Sequence, residues 1–462
     1  MDIVEQLTRA LPAGTVITDP VALDACRTDR SGHLSCGRPL ALVEARSIED
    51  VQEVCRIATA TNTPVVSRGA GTGLAGGGIA GTGEIVLSTL HMNRILEVST
   101  ANQLAVVEPG IINGEMNRAL FEHGMWWAPD PASKDIATVG GNIAMNAGGL
   151  LCAKYGVTRE AVLALKVVLA DGRLISVGHR TVKGVTGYDL CALMIGSEGT
   201  LGVIVEATLK LRPLVTGNVA TIAAYLDSVE TGASIAARIS AAGLQPAIME
   251  LLDRRSLECL DAYTGGSLLS RGNAYLLIQC DGAAAEAEAA AMLAIIREAG
   301  AQAETTTDPV LADEWVHVRR QVFPSLEAQG TLLVEDVAVP REQMPAMFAK
   351  LAQLEEKYGI SIPSSAHAGD GNLHPCFIFQ GEDVPQMIWD AAGEMFAHAL
   401  ELGGTLTGEH GIGVLKKRWL GDELGDVQLM LQRQIKAVFD PAGLLNPGKV
   451  LDPLVQGAPA VC

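Results

Sequence analysis

Several features are absent from this 462-residue sequence, and each absence excludes a class of protein. No apolar run approaches the roughly 18 residues that a membrane span requires. The first residues lack the basic flank and apolar stretch of a secretory signal peptide. The nine cysteines include no C-x-x-C pair, so we expect neither a disulfide framework nor an iron–sulfur cluster. We therefore expect a cytoplasmic protein, a location that is compatible with peripheral docking at the inner membrane face.

Positive charge is also scarce. The chain carries 34 Lys and Arg against 53 Asp and Glu, a formal net charge of −19. That balance argues against binding to nucleic acid or to anionic lipid headgroups. What the sequence does contain is 48% hydrophobic residues and 50 glycines, which is typical of a well-folded protein with many tight turns. The length predicts two or three domains.

Short β segments separated by turns are predicted up to Pro213. Ser47 is the predicted N-cap of an early helix. Strands are predicted at 64–66, 84–88 and 104–107. Because these strands do not alternate with long helices, we do not expect a doubly wound nucleotide-binding domain.

Beyond Pro213 the pattern changes to strand–helix–strand units, which predict a second, α+β domain with an antiparallel sheet. The predicted strands are 221–226 and 274–279, and the predicted helices are 229–242, 283–299, 341–358, 384–403 and 426–439.

Three glycine-rich blocks lie before Pro213, at 68–78, 129–149 and 182–204. The first contains a formal G-x-G-x-x-G, but no helix signal follows it as a Rossmann fingerprint requires. Successive bare N–H groups can still cradle a diphosphate. One such block could be a turn without a ligand, whereas three predict a bulky dinucleotide lying along a surface of loops.

Two short histidine motifs stand near the C-terminus, HAGDGNLH at 367–374 and GEHG at 408–411. Two His and one Glu are typical of a catalytic divalent-metal site with open positions, and another His could then act as a base. Taken singly, each His is more often structural. A metal hydrolase would use the same ligands without the glycine blocks, and an electron-transfer flavoprotein would need only the glycine blocks.

The glycine blocks resemble the FAD-binding domain of the vanillyl-alcohol-oxidase-type flavoproteins. The two histidine motifs and residues 439–449 narrow the resemblance to the FAD-linked D-2-hydroxyacid dehydrogenases, which include D-lactate dehydrogenase, the glycolate oxidase flavin subunit and D-2-hydroxyglutarate dehydrogenase. The similarity runs from about residue 38 to 451. It implies an α+β fold with a two-lobed FAD-binding domain of the p-cresol-methylhydroxylase (PCMH) type and an antiparallel-sheet cap domain. The implied segments are 1–37, an N-terminal helix and loop; 38–213, the FAD-binding domain; 214–410, the cap with the metal ligands; and 411–462, a return to the FAD domain.

The resemblance also implies roles for individual residues. His367, His374 and Glu409 match the ligands of a zinc, manganese or iron ion. His410 matches the catalytic base, and Arg319 matches the arginine that clamps the substrate carboxylate. Asp370 or Asn372 could orient a ligand imidazole. The first glycine loop has no His, so non-covalent FAD is expected. The implied cofactor-binding residues are Arg68, Gly69, Ala70, Gly71, Thr72, Gly73, Pro131, Ser133, Thr138, Gly140, Gly141, Asn142, Ala144, Asn146, Gly148, Glu198, Gly202, Ile204 at the adenine end and Asn446 at the isoalloxazine.

The 2-hydroxyglutarate enzymes carry a Thr, a Lys and an Asn where this sequence has Phe323, Val334 and Cys376. An unpaired distal carboxylate would be costly there. We therefore expect a small or apolar D-2-hydroxy acid such as D-lactate, with D-2-hydroxyglutarate and glycolate as the alternatives. The electron acceptor could be a quinone, a cytochrome, an electron-transfer flavoprotein or O₂, and a homodimer is one expectation for the assembly.

Overall fold

The computed structural model describes residues 2–452, and Cys462 lies outside that range. The chain divides into two units. Unit 1 comprises residues up to Gly148, Gly156–Leu214 and the chain from Glu409 onward, and unit 2 comprises Gly149–Tyr155 and Val215–Gly408. The changes of unit after Leu214 and Gly408 lie close to the boundaries drawn from the sequence at 213 and 410. The predicted domain roles stay predictions.

Unit 1 is built from short helices and strands. Its helices are α1 (Ile3–Ala10), α2 (Pro20–Asp24), α3 (Ile48–Thr61), α4 (Asn113–Phe121), α5 (Val139–Met145), α7 (Leu190–Met194) and α15 (Leu420–Phe439), with 3₁₀ turns at Thr158–Ala161 and Lys417–Trp419. Its strands are β1 (Val16–Ile17), β2 (Ala41–Glu44), β3 (Val65–Arg68), β4 (Ile85–Ser88), β5 (Ile95–Ser99), β6 (Leu104–Val107), β7 (Met125–Trp126), β8 (Val162–Val168), β9 (Leu174–Gly178), β10 (Val203–Lys210) and β11 (Arg212–Pro213).

The strands of unit 1 form two main sheets. The first has the order β1-β2-β4-β3, in which β2, β4 and β3 run parallel. Helix α3 connects β2 to β3, and Ser47 caps it by accepting a hydrogen bond from the Asp50 N–H, as predicted. The second sheet is antiparallel with the order β5-β6-β10-β8-β9, and β11 pairs with β7. One apolar cluster packs against the second sheet, and the other joins residues of the first sheet to Val168, Val203 and Val205 of the second.

One prediction for unit 1 needs correction. The region between residues 104 and 213 was expected to hold only β segments and turns, and it contains α4, α5 and α7. Helix α4 buries only Asn113, Met116 and Leu120, so its sequence carries a weak apolar signal. Helix α5 begins inside a glycine-rich block that resembles a loop, because tertiary packing outweighs the low helix propensity of Gly140 and Gly141.

Unit 2 matches the predicted α+β pattern. Its helices are α6 (Cys152–Tyr155), α8 (Val229–Ala241), α9 (Arg254–Thr264), α10 (Ala285–Glu298), α11 (Pro309–Arg320), α12 (Val322–Glu327), α13 (Met344–Tyr358) and α14 (Gln386–Glu401), with 3₁₀ turns at Leu268–Ser270 and Arg341–Gln343. Its strands are β12 (Val219–Leu226), β13 (Ile248–Leu252), β14 (Ala274–Asp281), β15 (Gln302–Thr306), β16 (Thr331–Val334), β17 (Val337–Ala338), β18 (Ser364–His367) and β19 (Asn372–Phe379).

The eight strands of unit 2 form one antiparallel sheet with the order β15-β12-β14-β13-β18-β19-β16, and β17 pairs with β19. The predicted strands and helices of this region are confirmed, including the helix expected at 426–439 in unit 1, which follows the break that Gly425 makes in α15 with φ of 68°. The sheet matters for function because its neighbouring strands β13, β18 and β19 carry the polar side chains described below.

Candidate functional site

The first glycine block forms a loop between β3 and β4, and no helix begins there. The Arg68 guanidinium donates to the carbonyl oxygens of Gly78 at 2.6 Å and Thr28 at 2.9 Å. Gly71 has a φ of 71°, which an L side chain rarely adopts. A Cβ on Gly71 would also lie 2.3 Å from the Arg68 guanidinium. Arg68 therefore ties the two ends of the loop together, and Gly71 adopts a backbone conformation that a residue with a side chain rarely takes.

The second block lies against the first. A Cβ on Gly69 would lie 2.3 Å from the Thr138 hydroxyl, and Thr138 itself caps α5 by accepting from the Gly141 N–H. A Cβ on Gly140 would lie 2.9 Å from the carbonyl oxygen of Pro109. The two blocks therefore pack closely at positions where a side chain on Gly69 or Gly140 would not fit. Glycine-rich backbone can approach a phosphorylated dinucleotide closely, because it adds no side-chain bulk.

Glu198 and Asn446 are both predicted cofactor residues. Their side chains form hydrogen bonds with backbone groups of unit 1. The Glu198 carboxylate accepts from the Ile412 and Gly413 N–H groups, each at 2.8 Å. Burial raises the pKa of Glu198 to about 7, against the opposing effect of these two hydrogen bonds. The Asn446 amide donates to the carbonyl oxygen of Gly77 at 3.0 Å and to that of Glu198. Both side chains therefore tie the glycine loops to the C-terminal segment.

The other predicted cofactor residues all belong to unit 1, and their contact with FAD stays a prediction. Asn142 accepts from the Asn113 amide at 3.0 Å, and Asn146 accepts from the Arg159 N–H at 2.9 Å. Ile204 lies on β10 with its side chain buried in the apolar cluster of the second sheet. Its side chain is thus part of the core, and a ligand there would meet its backbone.

Two histidines lie side by side in unit 2. His367 ends β18, and His374 lies on β19, which runs antiparallel to it. The rings meet edge to face with their centroids 4.8 Å apart. The turn between them requires Gly371, whose φ is 87° and whose Cβ would lie 2.2 Å from the Val339 carbonyl oxygen. The Gly-Asp-Gly-Asn turn thus brings two residues that are seven apart in sequence onto one face of the hairpin.

A carboxylate from the sequence motif completes this group. Glu409 follows Gly408, the last residue of unit 2, by one peptide bond. One ligand atom each from His367, His374 and Glu409 lies within 4.8 Å of the others. Two imidazoles and one carboxylate are a donor set that suits zinc, iron or manganese and leaves coordination positions for water or substrate. His410 is mostly buried, and its Nε2 lies 4.0 Å from Glu409 Oε1.

Two buried carboxylates lie next to the histidines, and neither belongs to the sequence motifs. Glu250, on β13, accepts from His367 Nδ1 at 2.6 Å and from Arg319 Nε at 2.7 Å. Asp336 lies 4.0 Å from His374 Nδ1. Asp336 also accepts from the Asn372 amide and from the Thr407 hydroxyl. Sequence reasoning missed both acids, although a single Glu inside the apolar strand Ile248–Leu252 was a signal that it has a buried partner.

Arg319 and the neighbouring Arg320 differ in exposure. Arg319 lies on α11 with a side chain that is 17% exposed, whereas Arg320 is 61% exposed and pairs with the surface residue Asp313. Asn372 donates to Asp336 and to the Val337 carbonyl oxygen, and Asp370 accepts from the Asn372 N–H within the turn. An orienting role for Asp370 or Asn372 toward an imidazole stays a prediction.

The three positions expected to set substrate preference lie in unit 2. Val334 on β16 is paired in register with Cys376 on β19, and both belong to an apolar cluster with Val322 and Leu326. Phe323 lies on α12, next to Val322. None of these three side chains carries a positive charge.

Two family models match the sequence. The model for the FAD-binding domain matches residues 39–178, and the model for the C-terminal domain of FAD-linked oxidases matches residues 217–450. Similar sequences include the glycolate oxidase subunit GlcD of Bacillus subtilis, 38% identical over 89% of each chain. The D-lactate dehydrogenase of Archaeoglobus fulgidus is 35% identical over 93% of this chain and 96% of its own. The D-2-hydroxyglutarate dehydrogenase of Xanthomonas citri is 34% identical over 96% of each chain.

Solved structures with the same fold are more distant in sequence. A 4-ethylphenol oxidase from Gulosibacter chungangensis superimposes with a TM-score of 0.77 at 18% identity, covering 98% of this chain and 97% of its own. A p-cresol methylhydroxylase superimposes with a TM-score of 0.78 at 17% identity, covering 97% and 96%. These likenesses confirm the expected PCMH-type FAD-binding fold. No helix within residues 2–452 is both long and apolar enough to cross a membrane.

Proposed function

This chain belongs to the FAD-linked oxidases, a family of FAD-dependent oxidoreductases, and from that premise we propose that it oxidises a small or apolar D-2-hydroxy acid to the 2-oxo acid. The observation that carries the proposal is the group of His367, His374 and Glu409 in a chain of this family. Bound FAD, held non-covalently, supplies a hydride acceptor at flavin N5. A bound divalent ion supplies a Lewis acid that lowers the pKa of a coordinated hydroxyl.

The side chains of this protein then have separate tasks. His367, His374 and Glu409 would hold the ion, and a set of three protein ligands would leave coordination positions open to the substrate. Arg319 binds the substrate carboxylate through the ends of its guanidinium. His410 accepts the hydroxyl proton as general base, an assistance of the order of 10²–10⁴-fold. Proton removal and hydride loss from C2 assist each other, because the developing alkoxide favours departure of the hydride.

The proposed preference for an apolar substituent at C2 comes from Phe323, Val334 and Cys376. A second carboxylate beside Val334 and Cys376 would enter an apolar cluster without a charged partner from these positions. D-Lactate is therefore the substrate that we propose first. Glycolate, which has no carbon substituent at C2, is a second candidate, favoured by the 38% identity to a glycolate oxidase subunit.

The experiment is anaerobic stopped-flow reduction of the purified flavoprotein by D-lactate, L-lactate, glycolate and D-2-hydroxyglutarate. We expect D-lactate to bleach the flavin fastest, L-lactate to be inactive, and a chelator to slow the reaction until zinc or manganese is restored. The triple variant Phe323→Thr, Val334→Lys, Cys376→Asn should gain reduction by D-2-hydroxyglutarate. Faster reduction of the parent protein by D-2-hydroxyglutarate than by D-lactate would reject the substrate assignment.

A further inference from the structure

Glu250 is the one charged residue of strand β13, and its side chain is fully buried. A buried carboxylate is costly unless its oxygens are paired. Both oxygens of Glu250 are paired with residues of the proposed site. Oε1 lies 2.6 Å from His367 Nδ1, and Oε2 lies 2.7 Å from Arg319 Nε.

Each contact fixes one partner. A carboxylate at His367 Nδ1 favours the tautomer with the proton on that nitrogen, so Nε2 carries the lone pair that a metal ion requires. The contact at Arg319 Nε holds the guanidinium by one edge and leaves its two terminal NH₂ groups as the donors for a substrate carboxylate. The strand register supports this arrangement, because Glu250 and His367 are paired across β13 and β18.

We propose that Glu250 is a positioning residue that sets both the metal affinity of His367 and the orientation of the substrate-binding Arg319. This inference rests on the proposed function, since it assigns a role to the same site. One rigid carboxylate thereby fixes the metal ligand and the anion-binding group relative to each other within unit 2. The substrate would be held at two points whose spacing Glu250 determines.

The main experiment measures zinc affinity of the flavin-loaded protein by competition with a chromophoric chelator. Glu250→Gln keeps the shape of the side chain but removes its charge. We expect zinc to bind roughly 10–100-fold more weakly than to the parent. We also expect a raised KM for D-lactate at saturating zinc, because Arg319 loses its anchor. Glu304→Gln is the matched control, since Glu304 is an exposed acid of the same unit that pairs with Arg271, and it should leave both quantities unchanged.

A second pair of variants distinguishes the proposed role of Glu250 from a general loss of stability. Arg319→Gln alone should leave zinc affinity within about threefold of the parent, because His367 keeps its carboxylate. Adding Glu250→Gln to it replaces the buried charges with two neutral amides, which avoids an unpaired charge, and zinc affinity should then fall by the same 10–100-fold. Equal zinc affinity in the single and double variants would overturn the inference, and so would unchanged zinc affinity in Glu250→Gln itself.

These outcomes differ from a failure of the proposed function. A parent protein that binds zinc and is reduced by D-lactate, with a Glu250→Gln variant that binds zinc equally well, would reject the role of Glu250 and leave the function standing. A parent that neither binds zinc nor is reduced by any 2-hydroxy acid would reject both.

Discussion

The two units build their candidate binding surfaces in opposite ways. Unit 1 uses backbone: its glycine loops approach each other where a Cβ at Gly69 or Gly140 would collide with Thr138 or Pro109. Unit 2 uses side chains: His367 and His374 lie on a rigid hairpin with the buried acid Glu250 behind them. The difference teaches that a dinucleotide surface is specified by missing side chains, whereas a metal site is specified by particular side chains and by the partners that orient them.

The largest effect that separates the two units should come from His374→Ala. Loss of a ligand should remove the ion and with it about 4 kcal/mol of transition-state stabilisation, a fall in kcat on the order of 10³-fold. FAD content should not change, because His374 belongs to unit 2, whereas the predicted cofactor-binding residues all belong to unit 1. Steady-state kinetics and the flavin absorbance spectrum measure the two quantities. His398→Ala is the control, since His398 pairs with Glu401 on α14. A fall in kcat of less than tenfold would contradict the metal role.

A second test addresses unit 1 through Glu198. Burial raises the pKa of this acid from its ordinary 4.5 to about 7. The folded state therefore binds the proton more tightly than the unfolded state, and the contribution of Glu198 to stability is fully present below pH 4.5 and lost as the pH rises through 7. The stability of the parent relative to Glu198→Gln should fall by about 3 kcal/mol between pH 4.5 and 8.5.

Urea unfolding followed by flavin fluorescence, with FAD in excess, measures this difference at several pH values. Glu122→Gln, at an exposed position of the same unit, is the control and should show a constant difference from the parent. A Glu198→Gln difference that does not depend on pH would show that Glu198 keeps an ordinary pKa.

Some features of these two sites could be predicted from the sequence, and others could not. The grouping of His367, His374 and Glu409 was predictable, because HAGDGNLH and GEHG carry distinctive residue types close together along the chain. Their buried partner Glu250 was not assigned, because it is 117 residues from His367 and meets it only through the strand register of β13 and β18. Pairings between distant strands depend on the whole sheet, which local patterns do not specify.

In unit 1 the sequence shows where the glycine-rich blocks lie, but it did not predict their secondary structure. Helix α5 occupies part of a block that resembles a loop, because Thr138 caps it and Val139 and Ile143 pack into the core. Glu198 and Asn446 were assigned to the cofactor from the resemblance, and both side chains form hydrogen bonds with backbone groups of their own unit. Composition predicts that a loop can approach a ligand, whereas the contacts that hold the loop arise from residues more than 200 positions apart in sequence.

Arg319→Ala should have a smaller effect than loss of a metal ligand. A charge-assisted pair with a carboxylate contributes about 1.5–3 kcal/mol, so kcat/KM for D-lactate should fall roughly 10–150-fold. Arg319→Lys should recover only part of this loss, because an ammonium lacks the planar fork. Arg320→Ala is the matched control on the same helix, and it should leave kcat/KM unchanged because its side chain is exposed and pairs with Asp313. Equal losses in the two alanine variants would contradict the assignment of Arg319.

The smallest effect should come from the glycine surface of unit 1. Gly140→Ala would place a Cβ 2.6 Å from the Pro109 Cβ and 2.9 Å from its carbonyl oxygen, whereas Gly78→Ala would meet nothing closer than 3.8 Å. Because backbone must shift to admit the first methyl group, we expect Gly140→Ala to lose about 1–2 kcal/mol of stability and to bind FAD more weakly. Gly78→Ala should be nearly neutral in both. Urea unfolding and FAD titration of the apoprotein measure these losses. Equal losses in the two variants would contradict this prediction. They would indicate that the number of glycines, and not the contacts of each glycine, defines the surface. The two units would then differ only in amino-acid composition.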